Sequence, residues 1–153
     1  MSGGFETDEV FRLETNLDDC TAEVLGAVME RLFAAGALDV WFTPIQMKKQ
    51  RPGVMLSVLS EEATRDTLAG LILTETTAFG VRIDRLERLK LARRLVTVAT
   101  EFGEVTIKLG LKGETIVQTA PEFESVKAAA HRSGQPFRIV YDAAARAAGA
   151  LKS

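Results

Sequence analysis

The amino-acid sequence predicts an α+β protein with a four-stranded, two-helix unit over residues 9–90 and a smaller unit of three strands and two helices over 91–150. Three observations carry this. Up to about residue 90 the hydrophobic period switches between two and 3.6 in the order β-α-β-β-α-β. Beyond it, alternating runs meet at glycine turns, and helical patterns follow only after them. The chain of 153 residues is 46% hydrophobic and 26% charged, which supplies ordinary cores and gives no sign of disorder.

Val10 to Asn16 alternates, with Phe11, Leu13 and Thr15 on one side and Arg12, Glu14 and Asn16 on the other, so it reads as a strand. From Thr21 the period lengthens: Leu25, Val28, Met29, Leu32 and Phe33 form a helical stripe, and Gly36 stands where a helix end favours glycine. "LDVWFTPIQM", Leu38 to Met47, is a strand whose Pro44 suits a sheet edge or a bulge. "RPG" at residues 51–53 signals a turn, and Val54, Leu56 and Val58 face one way in a third strand.

Ser60 is placed as the cap of a second helix with acids in its first turn, Leu68, Leu71 and Ile72 as its buried stripe, and Gly80 as its end. Val81, Ile83 and Leu86 open a fourth strand. This is the ferredoxin-like split βαβ order, which puts both helices on one face of an antiparallel sheet. Residues 93–100 and 104–111 then form a hairpin around "EFGE", "LKGE" makes another turn, and 115–119 is a short strand. "TAPE" reads as a capping box, Thr119 with Glu122, for a helix closed by Gly134. A last helix starts near Pro136.

Nineteen basic against 21 acidic residues give a net charge of −2, so bulk charge does not favour nucleic acid or an anionic membrane. Arg85, Arg88, Lys90, Arg93 and Arg94 form a local basic stretch without an aromatic platform. The single cysteine, Cys20, cannot form an internal disulfide, which is compatible with a reducing cytoplasm. With one histidine, His131, a Cys/His zinc site lacks its ligands, so a metal bound by this chain alone is expected to be a hard ion such as magnesium or manganese. The apolar runs are too short to span a bilayer, and the N-terminus has no signal-peptide pattern.

Three clusters combine residue types that carry chemistry. "ETNLDD", residues 14–19, packs side-chain oxygens into a strand-to-helix turn. Taken alone, the plain reading is that Asp19 caps the helix and Asp18 favours the helix dipole. The functional reading is that Asn16, Asp18 and Asp19 offer oxygens to a divalent cation, with Glu14 a weaker candidate. "MKKQRPG" places Lys48, Lys49 and Arg51 beside Gly53: a charged hairpin end, or a phosphate-binding turn in which Arg51 supplies a planar fork and one lysine a point charge. "ETTAFGVR", residues 75–82, offers Thr76, Thr77 and Arg82, and its Glu75 at a helix C-terminus opposes the dipole. Bonding back to helix carbonyls is the plain reading of both threonines. Whether the first two turns share one end of the sheet depends on strand direction, which the sequence leaves open.

Together "ETNLDD", "ERLFAAGALDVWFTPIQMKKQRPG", "ETTAFGVR" and "PEFESVKAAA" resemble the C-terminal domain of the LarC family of nickel-insertion proteins over nearly the whole chain. The resemblance implies part of a CTP-dependent cyclometallase, a nickel chelatase and lyase that hydrolyses CTP with manganese or magnesium. The enzyme completes the nickel-pincer nucleotide cofactor of lactate racemase by putting nickel into pyridinium-3,5-bisthiocarboxylic acid mononucleotide. It implies that nickel is bound mainly by a histidine-rich N-terminal domain, here a missing domain or a separate chain. The metal–CTP complex falls to this part, with Asp18 and Asp19 at the metal and Asn16, Lys48, Lys49, Arg51, Thr76, Thr77 and Arg82 at the nucleotide.

The family favours a lysine before "PE", a further acid after it, and a methionine after "LDD"; Ala120, Ser125 and Cys20 stand there. That leaves Glu122 as a helix cap and Cys20 as a packing residue. A cytoplasmic homo-oligomer, trimer or hexamer, is expected, without nucleic-acid or membrane partners. The competing reading is an assembly or regulatory module in which the same clusters are interface ion pairs and caps.

Overall fold

The computed structural model describes residues 3–152. Among them the order is β1 (Glu6–Leu17), α1 (Ala22–Ala34), β2 (Asp39–Met47), β3 (Arg51–Ser60), α2 (Glu62–Glu75), β4 (Arg82–Lys90), β5 (Ala92–Thr100), β6 (Gly103–Lys112), β7 (Thr115–Pro121), α3 (Phe123–Ser133) and α4 (Phe137–Gly149). The chain divides into two compact units, Asp8–Arg88 and the remainder, which includes residues 3–7.

In the first unit the sheet order is β2-β3-β1-β4, the ferredoxin-like order. β3 runs antiparallel to both β1 and β2. β1 and β2 are therefore parallel to each other, and their C-terminal ends lie at one end of the sheet. β4 is the far edge, and its partners run in reverse along β1: Arg82 to Asn16, Asp84 to Arg12, Arg85 to Glu9 and Arg88 to Asp8. Its first residues thus lie beside the end of β1. The inward side chains of the sheet, Leu13, Leu17, Leu56 and Val58, meet Val28 and Leu32 of α1 and Leu68 and Ile72 of α2 in one core. Each such fully buried aliphatic side chain contributes about 1.5–3 kcal/mol.

Several local details differ from the sequence expectations. Thr21, not Asp19, caps α1, accepting from the Val24 N–H at 3.4 Å. Ser60 closes β3 with its hydroxyl buried and unpartnered, while Glu61 holds the cap position of α2 without a side-chain bond. α2 stops at Glu75 rather than running to Gly80. The conflict of Glu75 with the dipole is offset by an ion pair to Arg31 on α1. Arg51, Pro52 and Gly53 belong to β3; the turn itself is Lys48–Gln50, with Lys49 and Gln50 left-handed at φ 58° and 56°. Pro52 is tolerated because β1 pairs with β3 only from Val54 on, so no β1 acceptor is left waiting for an N–H.

Gly53 answers to packing: a Cβ there would stand 2.6 Å from the Leu17 carbonyl oxygen and 2.8 Å from Met47 Sδ. The close approach that glycine permits is that of the β1 backbone, not of a ligand.

In the second unit β5-β6-β7 form an antiparallel sheet with a register shift at Gly110/Leu111. Val105, Ile107, Leu109 and Leu111 alternate onto one face and pack with Val126 and Ala129 of α3 and Val140, Ala144 and Ala148 of α4. α3 ends at left-handed Gly134. Thr119 lies in β7 and makes no capping box. Glu122 sits at the cap position of α3 without a side-chain cap bond; its N–H donates to Thr106 O at 2.9 Å and its carboxylate pairs with Lys108 at 3.0 Å. No helix among the described residues is long and apolar enough to cross a membrane.

Candidate functional site

Because β1 and β2 end together and β4 starts beside them, three loops meet at one end of the first sheet. They enclose a cleft of about 390 Å³. Asn16, Asp18 and Asp19 reach it from the end of β1, Met47, Lys48 and Arg51 from the β2–β3 turn, and Thr77, Phe79, Gly80 and Arg82 from the segment leading into β4. Cap chemistry leaves the two aspartates available: Thr21 takes the helix N-terminus, so neither carboxylate is committed to it.

The clusters touch one another across the cleft. Arg51 Nη1 donates to Asp18 Oδ2 at 3.3 Å, Thr77 Oγ1 to Asp19 Oδ1 at 2.5 Å, and Arg82 Nη2 to Asn16 Oδ1 at 2.8 Å. Behind Arg82 lies Glu14, 13% exposed, 3.9 Å from that guanidinium and accepting from buried Ser57 at 3.3 Å. Arg12 balances Glu14 on the other side at 3.3 Å, and its hydrogen bond to Asp84 raises the Arg12 pKa further, so it stays charged at any working pH. Lys48 has no ion pair among the described residues. The lining therefore carries three cations, Lys48, Arg51 and Arg82, against two carboxylates. Pairs as exposed as Arg51–Asp18, whose arginine side chain is 54% exposed, contribute about 0–1 kcal/mol, so a ligand with stronger charge displaces them at little cost.

Seven of the nine residues singled out from sequence line this cleft: Asn16, Asp18, Asp19, Lys48, Arg51, Thr77 and Arg82. Lys49 and Thr76 do not. Lys49 occupies the left-handed corner of the turn, and the Thr76 hydroxyl donates to Ile72 O at 2.6 Å and accepts from the Ala78 N–H at 3.0 Å, the back-bonding that the plain reading gives it. Sequence reasoning passed over Phe79, which is wholly exposed at the cleft. Its loop is tied down on both sides, by the Ala78–Thr76 bond and by Thr15 Oγ1 donating to Gly80 O at 2.9 Å. A large apolar residue inside a turn of otherwise small and polar residues was the signal available for it.

The donor set suits a hard cation carried by a phosphate chain better than a stand-alone metal centre. No cluster of three or more His, Cys, Asp or Glu side chains able to hold a metal exists among the described residues. Asp18 and Asp19 offer one or two carboxylates, the number a magnesium or manganese ion takes when phosphates and water complete its shell. The adjacent Lys48, Arg51 and Arg82 are donors of the kind that can pair with phosphate oxygens.

By fold this is a two-unit α+β protein whose first unit is ferredoxin-like, with a cleft that mixes carboxylates and cations. The family model described as nickel insertion protein matches residues 1–141, and the chain belongs to that family. It is 46% identical over 140 residues to the pyridinium-3,5-bisthiocarboxylic acid mononucleotide nickel insertion protein of Acetivibrio thermocellus, covering 92% of this chain and 34% of that protein. A relative of the same name from Thermotoga sp. (strain RQ2) is 41% identical over 140 residues, covering 92% and 35%. The chain thus spans about a third of the length of the curated relatives it matches.

Among solved structures it is similar to LarC2, the C-terminal domain of a cyclometallase involved in the synthesis of the NPN cofactor of lactate racemase, in its apo form. The TM-score is 0.86 at 44% identity, over 93% of this chain and 98% of that one. A protein from Methanopyrus kandleri AV19 is similar with a TM-score of 0.65 at 26% identity, over 92% and 89%.

Proposed function

We propose that this chain is the nucleotide-binding part of a nickel insertase, taking CTP with a divalent cation in the cleft between the β1 end, the β2–β3 turn and the start of β4. The full protein then puts nickel, as substrate, into pyridinium-3,5-bisthiocarboxylic acid mononucleotide. The observation that carries the reading is the juxtaposition of Asp18 and Asp19 with Lys48, Arg51 and Arg82. A metal-loaded polyphosphate uses both charges within one cleft of about 390 Å³, a volume on the scale of small-molecule sites, about 300–1,000 Å³.

Asp18 and Asp19 hold the cation, which supplies charge neutralisation at the phosphate oxygens. Arg51 exchanges its weak pair with Asp18 for a two-pronged grip on a phosphate. Lys48, with no ion pair among the described residues, adds a point charge. Asn16 and Glu14 hold Arg82 in place, so its guanidinium needs little reordering when ligand arrives. Thr77 fixes the carboxylate of Asp19. Phe79 presents a ring to the base, since stacking on an aromatic face contributes about 1–3 kcal/mol per base.

A titration against CTP, UTP, ATP and GTP, with and without manganese, tests this. CTP with manganese is expected to bind and to raise the melting temperature, because a ligand of the folded state alone stabilises it. Absence of CTP binding with manganese or magnesium overturns the reading. An assembly module in a homo-oligomer of three or six copies is the alternative. The internal pairs Arg51–Asp18, Thr77–Asp19 and Arg82–Asn16 favour it to the extent that they leave these groups satisfied without ligand. A stable oligomer indifferent to all four nucleotides would support it.

A further inference from the structure

The second unit carries a separate groove on the face of its sheet that α3 and α4 leave uncovered. Residues 105, 107, 109 and 111 of β6 point to the helices, so Lys108 and Gly110 point the other way. In register, Arg93, Gly110 and Gln118 form one row across β5, β6 and β7, and Lys108 and Ala120 belong to the next. With Lys90 and Leu91 these residues enclose about 260 Å³.

Its chemistry is one-signed. Lys90, Arg93 and Lys108 line it, and no carboxylate does. Lys108 is balanced by Glu122 at 3.0 Å and Lys90 has Glu6 at 4.0 Å, both acids standing outside the lining. Arg93 is exposed and has no ion pair among the described residues. Gln118 adds an amide, while Leu91 and Ala120 make an apolar wall. The floor is Gly110, where a Cβ would meet Leu91 Cδ1 at 2.8 Å and Gln118 Cβ at 3.1 Å, so the depth of the groove depends on a missing side chain.

We infer that this groove is a second ligand site, for a small organic oxyanion held by Arg93 and Lys108 against the wall formed by Leu91 and Ala120. One unbalanced guanidinium calls for one forked anionic group, a phosphate monoester or a carboxylate. A space of about 260 Å³ lies below the usual span of small-molecule sites, about 300–1,000 Å³, which favours a compact ligand over a whole nucleoside triphosphate. The inference does not rest on CTP binding in the first unit.

Amide chemical shifts of the whole chain, titrated with inorganic phosphate, CMP and pyridine-3,5-dicarboxylate, provide the test. Saturating shifts at Gly110 and Gln118 are expected with at least one of the two organic probes. Preference for CMP identifies the phosphate monoester as the recognised group, and preference for the dicarboxylate identifies the carboxylate. Arg93→Gln, at an exposed position without an ion pair among the described residues, is expected to weaken that binding about 10- to 100-fold with an unchanged melting temperature, the size set by losing a charge-assisted pair. Lys48→Gln, in the other cleft, is expected to leave it unchanged. Shifts confined to Asp18, Gly80 and their neighbours, no shifts with any probe, or undiminished affinity in Arg93→Gln overturn the inference.

Discussion

Replacing Gly53 with alanine sets two opposing effects against each other. In an extended strand, alanine for glycine gains about 0.5–1 kcal/mol by restricting the unfolded chain. Here the new Cβ would lie 2.6 Å from Leu17 O, a backbone atom at the end of β1 that cannot rotate away, and 2.8 Å from Met47 Sδ, which can. Forcing an extra carbon into such a contact costs about 1–3 kcal/mol. The backbone clash outweighs the gain, for a net loss of up to about 2.5 kcal/mol. At roughly 2–4 °C per kcal/mol for a chain of this length, the melting temperature falls by up to about 10 °C.

Trp41, the only tryptophan, sits on β2 beside β3, so its fluorescence reports unfolding of this unit. Gly26→Ala is the matched control. It lies within α1 with nothing within 4 Å of its would-be Cβ, and helix propensity gives it about 1 kcal/mol of added stability. The same chemical change is therefore expected to lower stability at residue 53 and raise it at residue 26. A Gly53→Ala protein as stable as the parent, or more so, would refute the packing argument.

Asp18→Ala and Arg51→Ala are each expected to weaken manganese–CTP binding by tenfold or more in calorimetry while shifting the melting temperature by less than about 4 °C, since their mutual pair is exposed. Phe79→Ala should cost about 1–3 kcal/mol of CTP affinity and leave binding of manganese with inorganic tripolyphosphate unchanged; equal losses for both would remove the ring from base recognition. Thr15→Val deletes the bond to Gly80 O and should destabilise the first unit by about 1 kcal/mol in urea denaturation, with faster amide exchange across residues 78–81. Leu68→Ala, at a fully buried position in α2, should cost about 2–5 kcal/mol by the same measurement.

The parts of the fold legible in sequence are those whose signal is local and repeated. Leu13 and Thr15 against Arg12 and Glu14 give a strand, and Val28 with Leu32 or Leu68 with Ile72 give helix faces, because burial acts on every turn or every second residue. Caps were misplaced because several oxygen side chains stand within two residues of each helix start. Choosing Thr21 over Asp19, or rejecting Ser60, depends on where the strand lets go, not on the intrinsic merit of the residue.

The site was legible as three separate clusters. Their meeting was not, because it follows from β3 pairing antiparallel not only with its hairpin partner β2 but also with β1, some 40 residues earlier in the chain. Thr76 and Lys49 fell away for a similar reason. Each has the right chemistry, but a helix carbonyl claims one and a left-handed backbone occupies the corner where the other stands.

The borders of the first sheet bear on self-association. Six of the nine β4 residues are exposed and none is buried, and the strand carries Arg82, Arg85, Arg88 and Lys90 with Asp84 and Glu87, while β2, the opposite border, has Pro44 in mid-strand. A second copy adding its own β4 would set two rows of charged side chains against each other, with Arg85 and Arg88 already paired to Glu9 and Asp8, and one adding to β2 would find a proline nitrogen where it needs a donor. Strand-by-strand growth into fibrils is disfavoured at both margins, so side-chain surfaces rather than backbone ladders are left to join copies of this unit.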